Sequence, residues 1–352
     1  MSGQSSGKGK IRGLCLQGTK GYVLFRSFIQ GLKGLTLFCG LLASALAAPL
    51  TNPIFVLNSL DANVGVISPA DWKVKQTIAT GKEPHHLYMT PDEKSVIVAN
   101  AVGDSLTFID PKTAKVQRVV RDIRDPYQLQ FSPDMKWFVT AANRLNHIDI
   151  YSWNGSDMTL VKRIATGKTP SHLWIDSKST TIYATMQDSD ELVAIDIKTQ
   201  AIKWRVPTGK MPADVFGTAD DKFLLIGLTA EDNVQVFDVS GPVAKEAKRI
   251  KTGDGAHAFR SAGDKRHLFV SNRVDNTISK IDLQSMTVAK TFPLPGGPDC
   301  MEVSADGKLL LVSSRWIRKV TVVDLETYKI KLQVPVGKSP HGVWTLDHAP
   351  RR

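Results

Sequence analysis

From residue 54 onward the chain is written in short runs in which apolar and polar residues alternate. Leu87/Met89, Leu129/Phe131, Leu173/Ile175 and Met301/Val303 place apolar side chains two apart, the period of a strand with one buried face. These runs lead into turn residues, as in Pro91-Asp92-Glu93-Lys94, Ser132-Pro133-Asp134-Met135-Lys136 and Ser304-Ala305-Asp306-Gly307-Lys308. Asp, Pro and Gly there supply turn dihedrals and cap free amides. A more apolar run follows: Val96-Ile97-Val98-Ala99-Asn100, His267-Leu268-Phe269-Val270-Ser271-Asn272 and Leu309-Leu310-Leu311-Val312-Ser313-Ser314. A third run alternates toward an aspartate, as in Leu106-Phe108-Asp110, Leu192-Ala194-Asp196, Val234-Val236-Asp238 and Val320-Val322-Asp324, and a fourth leads on to the next unit. No stretch carries the helical period. The pattern predicts an all-β chain of four short strands per unit, paired antiparallel across short turns.

The unit repeats. Its start is marked by Pro84, Pro126, Pro170, Pro212, Ala256, Pro298 and Pro340, at successive spacings of 42 or 44 residues. Gly-Lys pairs stand just before four of these marks, at Gly81-Lys82, Gly167-Lys168, Gly209-Lys210 and Gly337-Lys338. Four strands per unit of about that length predict a seven-bladed β-propeller of four-stranded antiparallel blades. The chain opens at Ile54-Phe55-Val56-Leu57-Asn58 and Val64-Gly65-Val66-Ile67, which look like second and third strands. It closes with Pro340-His341-Gly342-Val343-Trp344-Thr345-Leu346, a first strand with no unit of its own. The C-terminal strand is therefore expected to complete the first blade and close the ring, which leaves no unpaired edge at the ends. Ala141-Ala142-Asn143, Ile226-Gly227-Leu228 and Ala256 depart from the repeat, so three blades are expected to be irregular.

Val98-Ala99-Asn100, Val270-Ser271-Asn272, the Ser-Pro-Asp and Ser-Ala-Asp-Gly-Lys turns, and Ile109-Asp110 or Val323-Asp324 before x-x-Thr carry a resemblance. The chain resembles the YVTN-repeat, YncE-like periplasmic β-propellers over essentially all of its length past the leader. The resemblance implies the propeller fold and says little about activity. Propellers with similar repeats include lactonases, haem d1 nitrite reductases, nitrous-oxide reductase and amine-dehydrogenase subunits.

Residues 1–47 do not follow the repeat. They hold six basic residues (Lys8, Lys10, Arg12, Lys20, Arg26 and Lys33), no acidic one, a short apolar run from Leu35 and a small-x-small site at Ala45-Leu46-Ala47. This reads as a signal peptide, leaving residues 48–352 as a single propeller domain in the periplasm. The apolar run is shorter than the ~20 residues of a spanning helix, so no membrane span is expected after cleavage. Removal of the leader changes the electrostatics. The chain has 45 Lys+Arg against 34 Asp+Glu, a formal +11, and losing six basic residues brings it near +5. A charge that mild over about 300 residues disfavours nucleic acid as a partner. Cys15 and Cys39 go with the leader, so Cys300 stands alone and makes no internal disulfide.

The candidate chemistry collects just past the repeat marks. One place after them stand His85, Tyr127, Ser171, Ala213, His257, Asp299 and His341; two places after stand His86, Gln128, His172, Asp214, Ala258, Cys300 and Gly342. Five of the chain's eight histidines fall in these positions. In a blade ordered from centre to rim, the loop into the first strand and the loop between the second and third share a face. Arg144, Arg273 and Arg315, just past the second strands, are therefore expected at the same mouth of the channel. His85, His86, Arg144, His172, His257, Arg273, Asp299, Arg315 and His341 make up the candidate ligand-binding set.

Several chemistries suit that set. Polar residues that only close the ring are one. A pocket for an anion is another: arginines offer paired donors to carboxylate or phosphate, and histidines adjust the site near neutral pH. A metal site is a third, in which imidazoles with Asp299 or Cys300 hold copper, zinc or iron. Against it, His85 and His86 are adjacent on a strand and should point apart, and neighbouring blades should hold their mouth residues well separated. Tyr88, Trp174, Phe216 and Trp344 recur four places after the mark and read as packing between blades. No C-x-x-C-H occurs, so covalent haem is excluded, and no Gly-x-Ser-x-Gly, His-Glu-x-x-His or Walker loop appears. The reading is a monomeric exported binding or scaffold protein, not an enzyme, which takes an anionic small molecule or a periplasmic protein at its His/Arg face. The alternatives are a lactonase-like or metal-dependent periplasmic enzyme, for instance through His172 with Asp214, and a binder of single-stranded nucleic acid.

Overall fold

The computed structural model describes residues 50–352, so the expected leader lies outside the described residues. Those residues form 28 strands in seven four-stranded antiparallel sheets, with one short 3-10 turn at Ser59–Asp61. A representative blade runs from centre to rim as Pro84–Met89, Val96–Asn100, Ser105–Ile109 and Val116–Arg121. Pro340–Thr345 pairs antiparallel with Ile54–Asn58, Trp344 opposite Phe55, and Asn63–Ser68 and Lys73–Ala79 complete that sheet. The ring closes as the sequence predicts. The first strands of successive blades abut around the axis, and Pro340–Thr345 lies between Pro298–Val303 and Pro84–Met89.

The core sits between blades. Val139, Ile148 and Ile150 of one blade pack with Leu173, Ile182 and Ala184 of the next, and each fully buried Ile, Leu or Phe adds roughly 1.5–3 kcal/mol. The rim strands differ. Lys245–Lys251 buries only Ile250, and Lys73–Ala79 only Ile78. Their exposed, lysine-rich outer edges discourage pairing with another sheet.

Two local features shape the channel wall. The residue before each first strand has positive φ: Glu83, Asp125, Thr169, Met211, Gly255, Gly297 and Ser339. In addition, every first strand shifts register just after its first residue, as between Pro84 and His86 or between Pro298 and Met301. Such a bulge breaks the alternation of sides. The three units that depart from the repeat fold as blades like the others, with strands Trp137–Ala142, Phe223–Leu228 and Ala256–Ser261. Gly227 has a packing reason: a Cβ there would come within 3.0 Å of the Ala256 carbonyl oxygen and 3.1 Å of that of His257.

Candidate functional site

The bulges decide the site. Two adjacent residues on a regular strand face opposite sides, yet His85 and His86 stack with ring centroids 5.0 Å apart and both meet His341, at 3.8 and 5.0 Å. The expectation that this pair would point apart, and that blades would hold their mouth residues far from one another, is overturned. Near the axis seven first strands converge, and one extra residue per strand turns both positions inward. His86 is 4.9 Å from His172, and His172 is 6.1 Å from His257. The Tyr127 ring lies 3.9 Å from that of His85. Five imidazoles from four blades thus form one cluster across the channel.

Asp299 anchors its other side. It is fully buried, and its Oδ2 accepts from Arg273 Nη2 (2.9 Å) and Arg315 Nη1 (3.1 Å). Its Oδ1 faces His257 Nε2 at 3.2 Å and His341 Nε2 at 3.5 Å. The backbone amides of Arg273 and Arg315 donate to Gly255 and Gly297, which pins each loop to the start of its own blade. Arg315 Nε also donates to Ser339 Oγ, whereas Arg273 Nε is buried with no partner. Arg144 is not part of this group. Its guanidinium and backbone amide both bond Asp125, and Nη2 reaches the Ala101 carbonyl of the neighbouring blade, so it braces two blades. The other eight candidate residues are brought together.

Electrostatics sorts the cluster. Burial holds His85, His86, His172 and His341 well below the ordinary imidazole range, and neighbouring imidazoles push the same way. Burial and Arg273 also lower His257, against a pull from Asp299. These histidines are neutral lone-pair donors at pH 7. Burial opposes ionisation of Asp299, but its neighbours, the charged Arg273 among them, outweigh it and keep the carboxyl well below its usual value. The Cys300 thiol, 3.6 Å from His341 Nδ1, is pushed far up by burial and by Asp299, so it stays protonated. Two groups have donor atoms mutually within 4.8 Å, as a metal requires: His85/His86/His341 and His257/Asp299/His341.

Below the cluster lies a central cavity of about 140 Å³, lined among others by His86, His172, Asp214, Cys300, Trp174 and Arg260. At ~10–15 Å³ per water it holds about ten waters or a small organic molecule. Asp214 accepts from the backbone amides of Val215 and Phe259, and burial raises its carboxyl to about 7. His172 Nδ1 is 2.9 Å from Ser171 Oγ; no direct bond joins it to Asp214. The positions four after each mark form the lower wall. Trp344 packs between blades as expected, clustering with Leu87, Val96 and Val98 of the next blade as well as with Phe55 of its own. Tyr88, Trp174 and Phe216 do more than pack, since their rings also line the cavity.

The segment 349–352 closes the far end. Arg260 pairs with Glu302, both buried, and donates to the carbonyls of Ala349 and Pro350. Arg351 reaches the other oxygen of Glu302. The Arg352 guanidinium lies 4.3 Å over the Trp174 ring and donates to the Ile175 carbonyl.

The family comparison agrees with this geometry. A family model described as YNCE-like beta-propeller matches residues 33–351. The chain belongs to that family. An uncharacterized protein YncE from Salmonella typhimurium is 29% identical over 154 residues, a match spanning 42% of each chain; the chain thus covers less than half the length of that relative. Among solved structures, a periplasmic gluconolactonase of Pseudomonas aeruginosa superposes with a TM-score of 0.71 at 18% identity, covering 86% of this chain and 99% of that one. Dihydro-heme d1 dehydrogenase NirN, determined in complex with DHE, gives 0.63 at 17% identity, covering 85% and 76%. At such identities the likeness is one of fold.

In this YNCE-like propeller, sequence reading missed Arg260, Glu302, Arg351 and Arg352. A signal existed for the first two. Arg260 and Glu302 occupy the place four after the mark where other blades carry Tyr88, Trp174 or Phe216, and opposite charges in adjacent blades at one depth of the channel would meet. Nothing in the repeat grammar points to Arg351 and Arg352, which lie beyond the last strand.

Proposed function

We propose that this chain is a binding propeller, exported to the periplasm by the leader of residues 1–47, that takes a carboxylate- or phosphate-bearing ligand at the arginine-lined mouth. The observation that carries the reading is the state of Arg273 and Arg315. Asp299 holds both guanidiniums in place through a single oxygen, while Arg273 Nε remains a buried donor without a partner. A buried donor left unpaired costs about 1–3 kcal/mol, and an anion at the mouth would remove that cost. The neutral imidazoles supply polar walls rather than charge. Exposed apolar side chains on loops of the same face, Trp316, Ile317, Val274, Leu60 and Leu145, suit the apolar body of such a ligand or the surface of a partner protein.

Titration calorimetry with inorganic phosphate, acetate and octanoate tests this, with Trp316 fluorescence as a second readout. Saturable binding should weaken at least about tenfold in Arg273→Lys, which keeps the charge and loses the planar fork. Binding absent for all three anions, or equal in Arg273→Lys, would refute the reading. A lactonase-like reading has one favouring feature: a carboxyl raised to about 7 on the cavity wall, Asp214, as a general acid or base requires. Hydrolysis of gluconolactone that disappears in Asp214→Asn would establish it instead.

A further inference from the structure

We propose that His257 Nε2, His341 Nε2 and Asp299 Oδ1 form a site for one divalent first-row transition-metal ion. The inference goes beyond the anion-binding reading and does not depend on it.

His341 Nδ1 lies 2.7 Å from the His85 carbonyl oxygen. A carbonyl only accepts, so Nδ1 carries the proton and Nε2 presents a lone pair. His257 Nδ1 has Thr229 Oγ1 at 3.4 Å, and its Nε2 is buried with no hydrogen-bond partner, although Asp299 Oδ1 is 3.2 Å away. Two imidazole nitrogens and one carboxylate oxygen thus converge in a buried spot. Repulsion among them is relieved either by protonation or by a cation. A single cation would meet all three donor atoms at once, since they lie mutually within 4.8 Å.

The geometry matches the chemistry. With bonds of about 2.0–2.2 Å, ligand atoms around one ion sit roughly 3–3.5 Å apart, and the two nitrogens stand 3.2 and 3.5 Å from the oxygen. Two histidines and one carboxylate on one side of an ion make the open three-ligand arrangement used by divalent iron and zinc. The supporting contacts are those that a metal site needs. The His85 carbonyl orients one imidazole, Thr229 the other, and Arg273 and Arg315 hold the far oxygen of the carboxylate so that Oδ1 faces inward. Cys300 belongs to neither group of mutually close donor atoms. The second histidine group shares His341 but has no carboxylate, and only neutral donors would meet the charge there.

Cobalt(II) tests the proposal directly. Chelator-treated, untagged protein titrated with cobalt chloride should bind one equivalent, with visible ligand-field bands and no thiolate charge-transfer band. His257→Gln and His341→Gln should each weaken binding at least about a hundredfold. Thr229→Val, which removes only the orienting contact, should weaken it about tenfold or more. His147→Gln, outside the cluster, should bind like the parent chain. Where a histidine variant fails to fold by circular dichroism, Thr229→Val and X-ray absorption of the cobalt-loaded parent decide. Absence of saturable binding, a sulfur ligand, or binding lost in His86→Gln but kept in His257→Gln would overturn the site. Phosphate binding is read separately, so loss of one site leaves the other standing.

Discussion

Asp299 shows how much one side chain carries. Its carboxylate is set among two guanidiniums and two imidazoles at the mouth. Arg273→Ala and Arg315→Ala are not clean tests of anion binding, because each also strips a partner from a buried carboxylate. The converse change is sharper. Asp299→Asn leaves both guanidiniums without their counter-charge, and removing one partner of a buried ion pair costs roughly 3–5 kcal/mol. The arginines are partly exposed, so we expect about 3 kcal/mol, measured as a lower urea midpoint at unchanged m-value. An unaltered midpoint would mean that water already screens the group. The sequence showed Asp299, Arg273 and Arg315 to be at one mouth. That both arginines share a single oxygen depends on loop geometry fixed by hydrogen bonds to Gly255 and Gly297, which no spacing records.

At the scale of the strand, the repeat was legible because every blade solves the same packing problem with the same alternation. The bulge was not. It adds one residue at the start of each first strand without changing the period, and it alone decides that His85 and His86 face the same way. A regular strand would turn these two imidazoles apart and so disfavour a shared metal; the bulged strand does not. The lower wall offers a test of strand packing. Gly217 closes the strand Pro212–Gly217, and a Cβ on it would land in the Trp174 indole. Gly217→Ala should therefore displace Trp174 and cost about 1–3 kcal/mol, as overpacking does. The melting temperature and tryptophan emission would report it together. A stable variant with unshifted emission would show that the wall yields without strain.

For the molecule as a whole, ring closure gathers titratable groups that the chain keeps far apart. The five clustered histidines all have lowered folded-state values, so their contribution to stability is present above about pH 6.5, the unfolded imidazole value. It is lost progressively as the pH falls below that point toward the lowered folded-state values. Asp214, raised to about 7, acts in the opposite sense: its contribution is full below about pH 4 and disappears as the pH rises through 7. Five groups outweigh one, so the melting temperature should fall between pH 7 and pH 5, and less steeply in His172→Gln. A flat profile in that range would mean that the imidazoles can charge without penalty. Asp299 adds a further loss below about pH 4.

The alternation, the spacing of the marks and the complementary ends determined seven blades, their strand order and the closing role of Pro340–Thr345, because each follows from burying one face of a strand every unit. The tertiary structure decided the rest. Which nitrogens meet Asp299 Oδ1, which arginine braces two blades and which ones hold Asp299, and where residues 349–352 lodge all depend on ångström-scale convergence at a common axis. Local sequence sets the direction of each strand, whereas distances across the channel arise only when all seven blades are packed together.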